Sequence, residues 1–194
     1  MNRIVKLTIV LILYPLLVFS EQTYSCEWFS LRYPDDWVKM ADFKRAGVVY
    51  IYPKVNIGPR DAMLSIYSVG SVNSYHEIKF KLLYSLYKKN NPRLEIGEIE
   101  FENFNGATIP VIVLRYPAEL SLGRVSAWRY ERLYYFISNG LGIVIDIEYV
   151  RKEHIKNLKY ILKSIIWRGS KIRGIDKIMS KSERESLLFL FPFH

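Results

Sequence analysis

The 194-residue chain has a single cysteine, Cys26, and three histidines, His76, His154 and His194. One cysteine excludes an internal disulfide, and a domain of this size has core enough to do without one. No two histidines stand at i, i+4 and none lies near Cys26 in the chain, so the spacings that hold zinc or iron are missing. The G-x-S-x-G turn of hydrolases, the G-x-x-x-x-G-K-[ST] phosphate loop and the dinucleotide G-x-G-x-x-G are missing too. There is no internal repeat, no linker rich in Pro, Gly or Ser, and no run of five or more like charges. These absences point to one domain without a cofactor or metal fingerprint.

What is present is apolar and aromatic. Hydrophobic residues make up 50% of the chain and aromatics 15%, ample for a core and contrary to disorder. The formal charge is +9, two units of which are Arg3 and Lys6, leaving 9 − 2 = +7 on the remainder. That excess admits an anionic partner without selecting one; read most simply, it is scattered over the surface and aids solubility.

Residues 1–20 read as a signal peptide: two cations, an apolar stretch from Leu7 to Phe19, and Val18 and Ser20 at the positions a signal peptidase prefers. Thirteen residues, Leu7 to Phe19, reach about 20 Å as a helix, against roughly 30 Å of bilayer hydrocarbon. We therefore expect a secreted or periplasmic protein cut near Ser20. The alternatives are an uncleaved leader acting as an anchor and lipidation at Cys26, although Thr23, Tyr24 and Ser25 depart from a lipobox.

Strand signals dominate the chain beyond the leader. Trp28–Tyr33 alternates apolar and polar residues up to the turn Pro34-Asp35-Asp36. Trp37–Phe43, Gly47–Tyr52 and Ala62–Val69 are the next strands. Ser74 and Glu77 form a capping box, and Ile78, Leu82, Leu83 and Leu86 repeat at helical spacing until Asn90-Asn91-Pro92. A hairpin, Leu94–Phe104 and Ala107–Tyr116, turns at Asn105-Gly106, with Pro110 marking a bulge or an edge. Glu153–Trp167 carries Ile155, Leu158, Ile161, Leu162 and Ile165 on one helical stripe.

The central hairpin, Val125–Val150, has two candidate registers. A two-residue turn at Asn139-Gly140 sets Glu131 opposite Glu148 and Asp146 beside Leu133, a poor match. A five-residue loop from Ser138 to Gly142 instead sets Ile137, Tyr135 and Leu133 against Ile143, Ile145 and Ile147, and brings Arg132 to Glu148. We expect the second. The fold class is thus α+β: a single-domain α/β/α sandwich with a mainly antiparallel sheet of about six to eight strands and two helices.

The opening FSLRYPDDW resembles the F-S-φ-x-Y-P-x-x-W entry of the PsbP-like superfamily, where φ is apolar. The strands around RLYYFISNGLGIVIDIEY and the closing HIKNLKYILKSI, with its I-L-x-S-I phrase, are similar to that superfamily as well. The likeness covers most of Trp28–Trp167 and assigns residues 24–168 to the PsbP-like domain. It implies a binding or assembly-assisting role, often exported and beside a membrane. It carries no catalytic centre.

Residues 169–194 form a basic, then apolar tail. Ile172, Ile175, Ile178 and Met179 can make an amphipathic segment with Lys171, Arg173, Lys177 and Lys181 opposite, the pattern of a membrane-surface element. The simpler reading packs the tail on its own sheet or leaves it frayed. Trp128, Arg129, Tyr130, Arg132, Tyr134 and Tyr135 interleave aromatic and basic residues, suited to stacking or to anions; export argues against nucleic acid, and a half-covered strand explains the same composition. Glu98, Glu100 and Glu102 recur at period 2 and offer carboxylates for calcium, or more simply a solvated strand face.

Together these point to an exported, non-enzymatic binding or assembly-accessory protein of the cell envelope. Its candidate contact residues are Trp128, Arg129, Arg132, Lys171, Arg173, Lys177 and Lys181. The partner is an envelope protein or an anionic membrane surface. A hydrolase or other enzyme whose site is assembled from scattered residues is the alternative.

Overall fold

Strand β2 (Phe29–Pro34) turns its odd-numbered residues inward: Phe29, Leu31 and Tyr33 are 4%, 1% and 6% exposed. The motif that opens the chain is therefore a packing signature, and Trp37 extends it, buried with its ring edge-on to His154. The computed structural model describes residues 20–42, 48–54, 61–88, 93–119, 125–168, 171–175, 180, 182 and 185. Before β2 lies β1 (Glu21–Ser25), a strand the sequence pattern did not announce because its side chains are mostly exposed. After it come β3 (Trp37–Asp42), β4 (Val48–Pro53), β5 (Ala62–Ser71) and helix α1 (Tyr75–Lys88). Two hairpins come next: β6 (Glu95–Phe104) with β7 (Ala107–Glu119), and β8 (Val125–Ser138) with β9 (Leu141–Tyr149). A 3-10 turn, Lys152–His154, leads into α2 (Ile155–Ser164), and β10 (Ile166–Trp167) ends the series.

Seven strands form one antiparallel sheet in the order β3-β4-β5-β9-β8-β7-β6, and β1-β2-β10 form a small second sheet. The α+β class and the predominantly antiparallel sheet agree with the expectation. Helix α1 lies on one face, its Tyr75 ring 6.1 Å from that of Tyr135. Gly142 allows this approach: a Cβ there would stand 2.7 Å from Val69 and 3.0 Å from Ile78. Helix α2 lies on the other face, where Leu158 and Ile161 are buried with Tyr134, Ile145 and Ile147. The Ser164 of the I-L-x-S-I phrase joins α2 to β2. Its hydroxyl accepts the Arg32 amide at 2.8 Å and lies 2.9 Å from the Arg32 carbonyl.

The central hairpin overturns the expected register. The turn is the two-residue Asn139-Gly140, both at positive φ (53° and 73°), with Ser138 opposite Leu141. Glu131 therefore faces Glu148 and Leu133 faces Asp146. The Asn-Gly turn, whose twist matches that of the strands, outweighs the like-charge pair.

The last helix is also shorter than its apolar stripe. Ile165 is extended (φ −67°, ψ 119°), and Ile166–Trp167 cross to pair with β2. Trp167 then stacks on Phe29, meets Phe136 edge-on at 5.0 Å and donates to Ser138 Oγ at 3.0 Å.

Pro110 marks a local edge and not a bulge: it pairs in regular register with Phe101 of β6 but has no partner in β8. The β7–β8 ladder begins one residue later, at Val111–Tyr134, as expected beside a residue with no N–H to donate. Beyond that point the tail takes over as partner of β8: the Arg173 amide donates to the Ile137 carbonyl at 3.1 Å. Tyr75 donates its hydroxyl to the Arg173 carbonyl. Gly174 sits so close to β7 that a Cβ would be 3.2 Å from Ala107. Ile172 and Ile175 are 8% and 0% exposed, so the core draws on residues past Arg168. Among the described residues no helix is long and apolar enough to cross a membrane. Residues 1–19 of the leader lie outside the described residues.

Candidate functional site

Alternation along β8 divides its aromatic and basic residues between the two faces of the sheet. Trp128 and Arg132 lie on the α2 face with Tyr134, whereas Arg129 lies on the α1 face with Glu131. Arg129 is 9% exposed and donates to Glu148 at 2.8 Å, so the single surface expected of Trp128, Arg129 and Arg132 does not form. Trp128 is 36% exposed and carries the Arg115 guanidinium 5.1 Å from its ring centre. Lys171 and Arg173 are exposed. Ile172 and Ile175, which were to face a membrane beside them, are packed in the core instead. Lys177 and Lys181 lie outside the described residues.

On the α2 face, a cleft of about 470 Å³ opens between helix α2 and the strands β6, β8 and β9. Its floor is apolar, from Ile147, Ile155, Leu158 and Leu162, with the rings of Tyr134 and Tyr149 beside them. Glu100 and Glu102 of β6 form one wall, with Arg132 of β8. Arg132 bonds Glu100 at 2.7 Å and also Glu102, while its Nε donates to the Tyr134 hydroxyl at 3.2 Å. Arg132 was expected to meet Glu148; the two-residue turn puts the pair on opposite faces of the sheet.

Burial opposes the charge of the Arg132 guanidinium, yet its bonds to Glu100 and Tyr134 hold its pKa above the ordinary value. Burial likewise raises the Tyr134 hydroxyl, a shift its bond with Arg132 partly reverses. Both groups keep their protons at neutral pH and present fixed donors. The other wall is Lys159 and Lys163, one turn apart on α2. Both are exposed, and neither makes an ion pair among the described residues. The calcium reading of β6 does not hold its geometry: Glu100 and Glu102 are taken by Arg132, and the irregularity between Ile96 and Ile99 carries Glu98 out of step.

The α1 face holds a second constellation, which the expected register had dispersed. Glu131 (1% exposed), Asp146 (7%) and Glu148 bring carboxylate oxygens within 4.8 Å of one another. Burial and the neighbouring charges of Asp146, Glu131 and Glu148 push the Tyr67 hydroxyl far above its usual range; burial, then Glu148 and Glu131, do the same at Tyr116. Three carboxylate oxygens match the hard-donor chemistry of a divalent cation but fall short of the six to eight that calcium takes. Arg129 supplies a cation to Glu148 here. The only signal for this group in the sequence was the Asn-Gly turn.

No protein-family model matches the chain, and no match was found among curated proteins. Among solved structures it is similar to the solution structure of cyanobacterial PsbP (CyanoP) from Synechocystis sp. PCC 6803, at 15% identity and a TM-score of 0.49, over 79% of this chain and 95% of that one. It is similar, at 16% identity and a TM-score of 0.45, to LpqN, involved in cell envelope biogenesis of Mycobacterium tuberculosis, over 76% of this chain and 90% of LpqN. A protein of Bacteroides thetaiotaomicron VPI-5482 is similar at 14% identity and a TM-score of 0.48; the alignment covers 77% of this chain, which spans 49% of that one.

Proposed function

We propose that this chain is a non-enzymatic binding or assembly-accessory domain that works outside the cytoplasm, at the cell envelope, and holds its ligand in the cleft between α2 and strands β6, β8 and β9. The observation that carries the reading is the cleft itself. A cavity of about 470 Å³ falls within the range of small-molecule sites, and an apolar floor with a few fixed polar groups is their usual lining. Arg132 and Tyr134 are locked to each other and to β6, so their geometry is set before a ligand arrives and little ordering entropy is lost on binding. The leader-like residues 1–20 and the basic balance of the chain support an envelope setting.

The test is native mass spectrometry of the full chain purified from an exporting host, beside Leu162→Trp, which fills the cleft from its lining. A co-purified species held by the parent and lost from the variant is expected, provided both unfold at similar urea concentration. Retention of that species by the variant, or its chemical turnover by the parent, would overturn the reading.

A further inference from the structure

We infer that the cleft takes an anionic amphiphile: one carboxylate or phosphate head set against Lys159 and Lys163, with an apolar body laid along Ile147, Leu158 and Leu162. This rests on the binding role proposed above and names the ligand's chemistry. The two walls differ in what they leave uncompensated. Glu100 and Glu102 already share Arg132, so that wall is one charge from neutral and its groups are occupied. Lys159 and Lys163 project from one side of α2 into the same cleft with no counter-ion among the described residues. The cleft's sum is therefore three cations (Arg132, Lys159, Lys163) less two anions (Glu100, Glu102), or +1, with the excess on the helix wall.

A bare anion would gain little there, because exposed ammonium groups are well hydrated and a single contact in water is worth little. An apolar body adds burial, at about 25 cal/mol per Å² removed from water, and places the head where both ammonium groups reach it. A purely apolar ligand would leave the lysines unused and pass over the one asymmetry the cleft possesses.

The experiment uses the full chain and a fluorescent fatty acid, dansyl-undecanoic acid, titrated into the parent and into Lys159→Gln/Lys163→Gln, with its uncharged methyl ester as the matched probe. Oleate and inorganic phosphate serve as competitors. We expect the acid to bind the parent about tenfold or more tightly than the double variant, the scale of a hydrogen bond to a charged group. The ester should bind both proteins alike, oleate should displace the probe, and phosphate should not. Equal binding of the acid by parent and double variant, or tighter binding of the ester, would overturn the inference. Displacement by millimolar phosphate would reduce the site to one for simple anions and overturn it as well. If the acid fails to bind while Leu162→Trp still loses its co-purified species, the amphiphile falls and the binding role stands. If Leu162→Trp keeps that species, the binding role itself falls.

Discussion

Arg129→Met tests the electrostatics of the α1 face. The substitution keeps an apolar stem and removes a guanidinium 2.8 Å from Glu148, where the two side chains are only 11% and 13% exposed. It leaves three carboxylates, Glu131, Asp146 and Glu148, with oxygens within 4.8 Å. At about that separation and an effective dielectric near 20, each pair of unit charges repels by about 3 kcal/mol. Removing one partner of a buried ion pair costs about 3–5 kcal/mol. With a urea slope of about 2 kcal/mol/M, the midpoint should fall by about 2 M, read from the fluorescence of the chain's 4 tryptophans.

A second arm isolates the cause. Adding Glu148→Leu removes the orphaned charge and should restore most of the loss. A double variant as unstable as the single one would refute the picture of a row held together by Arg129.

Gly142→Ala should cost about 1–3 kcal/mol, since its Cβ would meet Val69 at 2.7 Å and Ile78 at 3.0 Å; thermal unfolding measures it, and a neutral result would mean that α1 shifts freely on the sheet. Ser164→Ala should cost about 1–3 kcal/mol by stranding the Arg32 amide it accepts at 2.8 Å, visible as a lower urea midpoint with unchanged slope. Burial holds Tyr67, Tyr75, Tyr116 and Tyr135 above the ordinary value of 10.0. Their stabilising contribution is therefore complete below about pH 10 and is lost as pH rises further, because the unfolded chain ionises first, at about 1.4 kcal/mol per pH unit for each tyrosine. Tyr135→Phe removes one of the four and a buried hydroxyl that has no hydrogen-bond partner among the described residues. It should be neutral or stabilising at pH 7 and should flatten the alkaline limb of midpoint against pH; an unchanged limb would remove Tyr135 from it.

The sequence by itself determined the class and the elements other than β1 and β10. Alternation in FSLRY, the capping box at Ser74 and Glu77, the Asn-Gly pairs and the stripe from Ile155 to Ile165 are local signals, and the structure honours each to within a few residues. It also marked Arg132, Glu100 and Glu102 without showing that they belong together. Tertiary structure alone decided the pairings. The β8–β9 register went to the turn because backbone twist is settled within a few residues, whereas the Glu131–Glu148 repulsion is met by Arg129, which no pairwise reading of facing residues includes. The sequence marked an interruption at Pro110 and allowed the tail to pack on its own sheet, but it did not show that the segment around Arg173 replaces β7 beside Ile137. Periodicity says which side of a strand is apolar; which distant group fills a gap or offsets a charge depends on where the rest of the chain comes to lie.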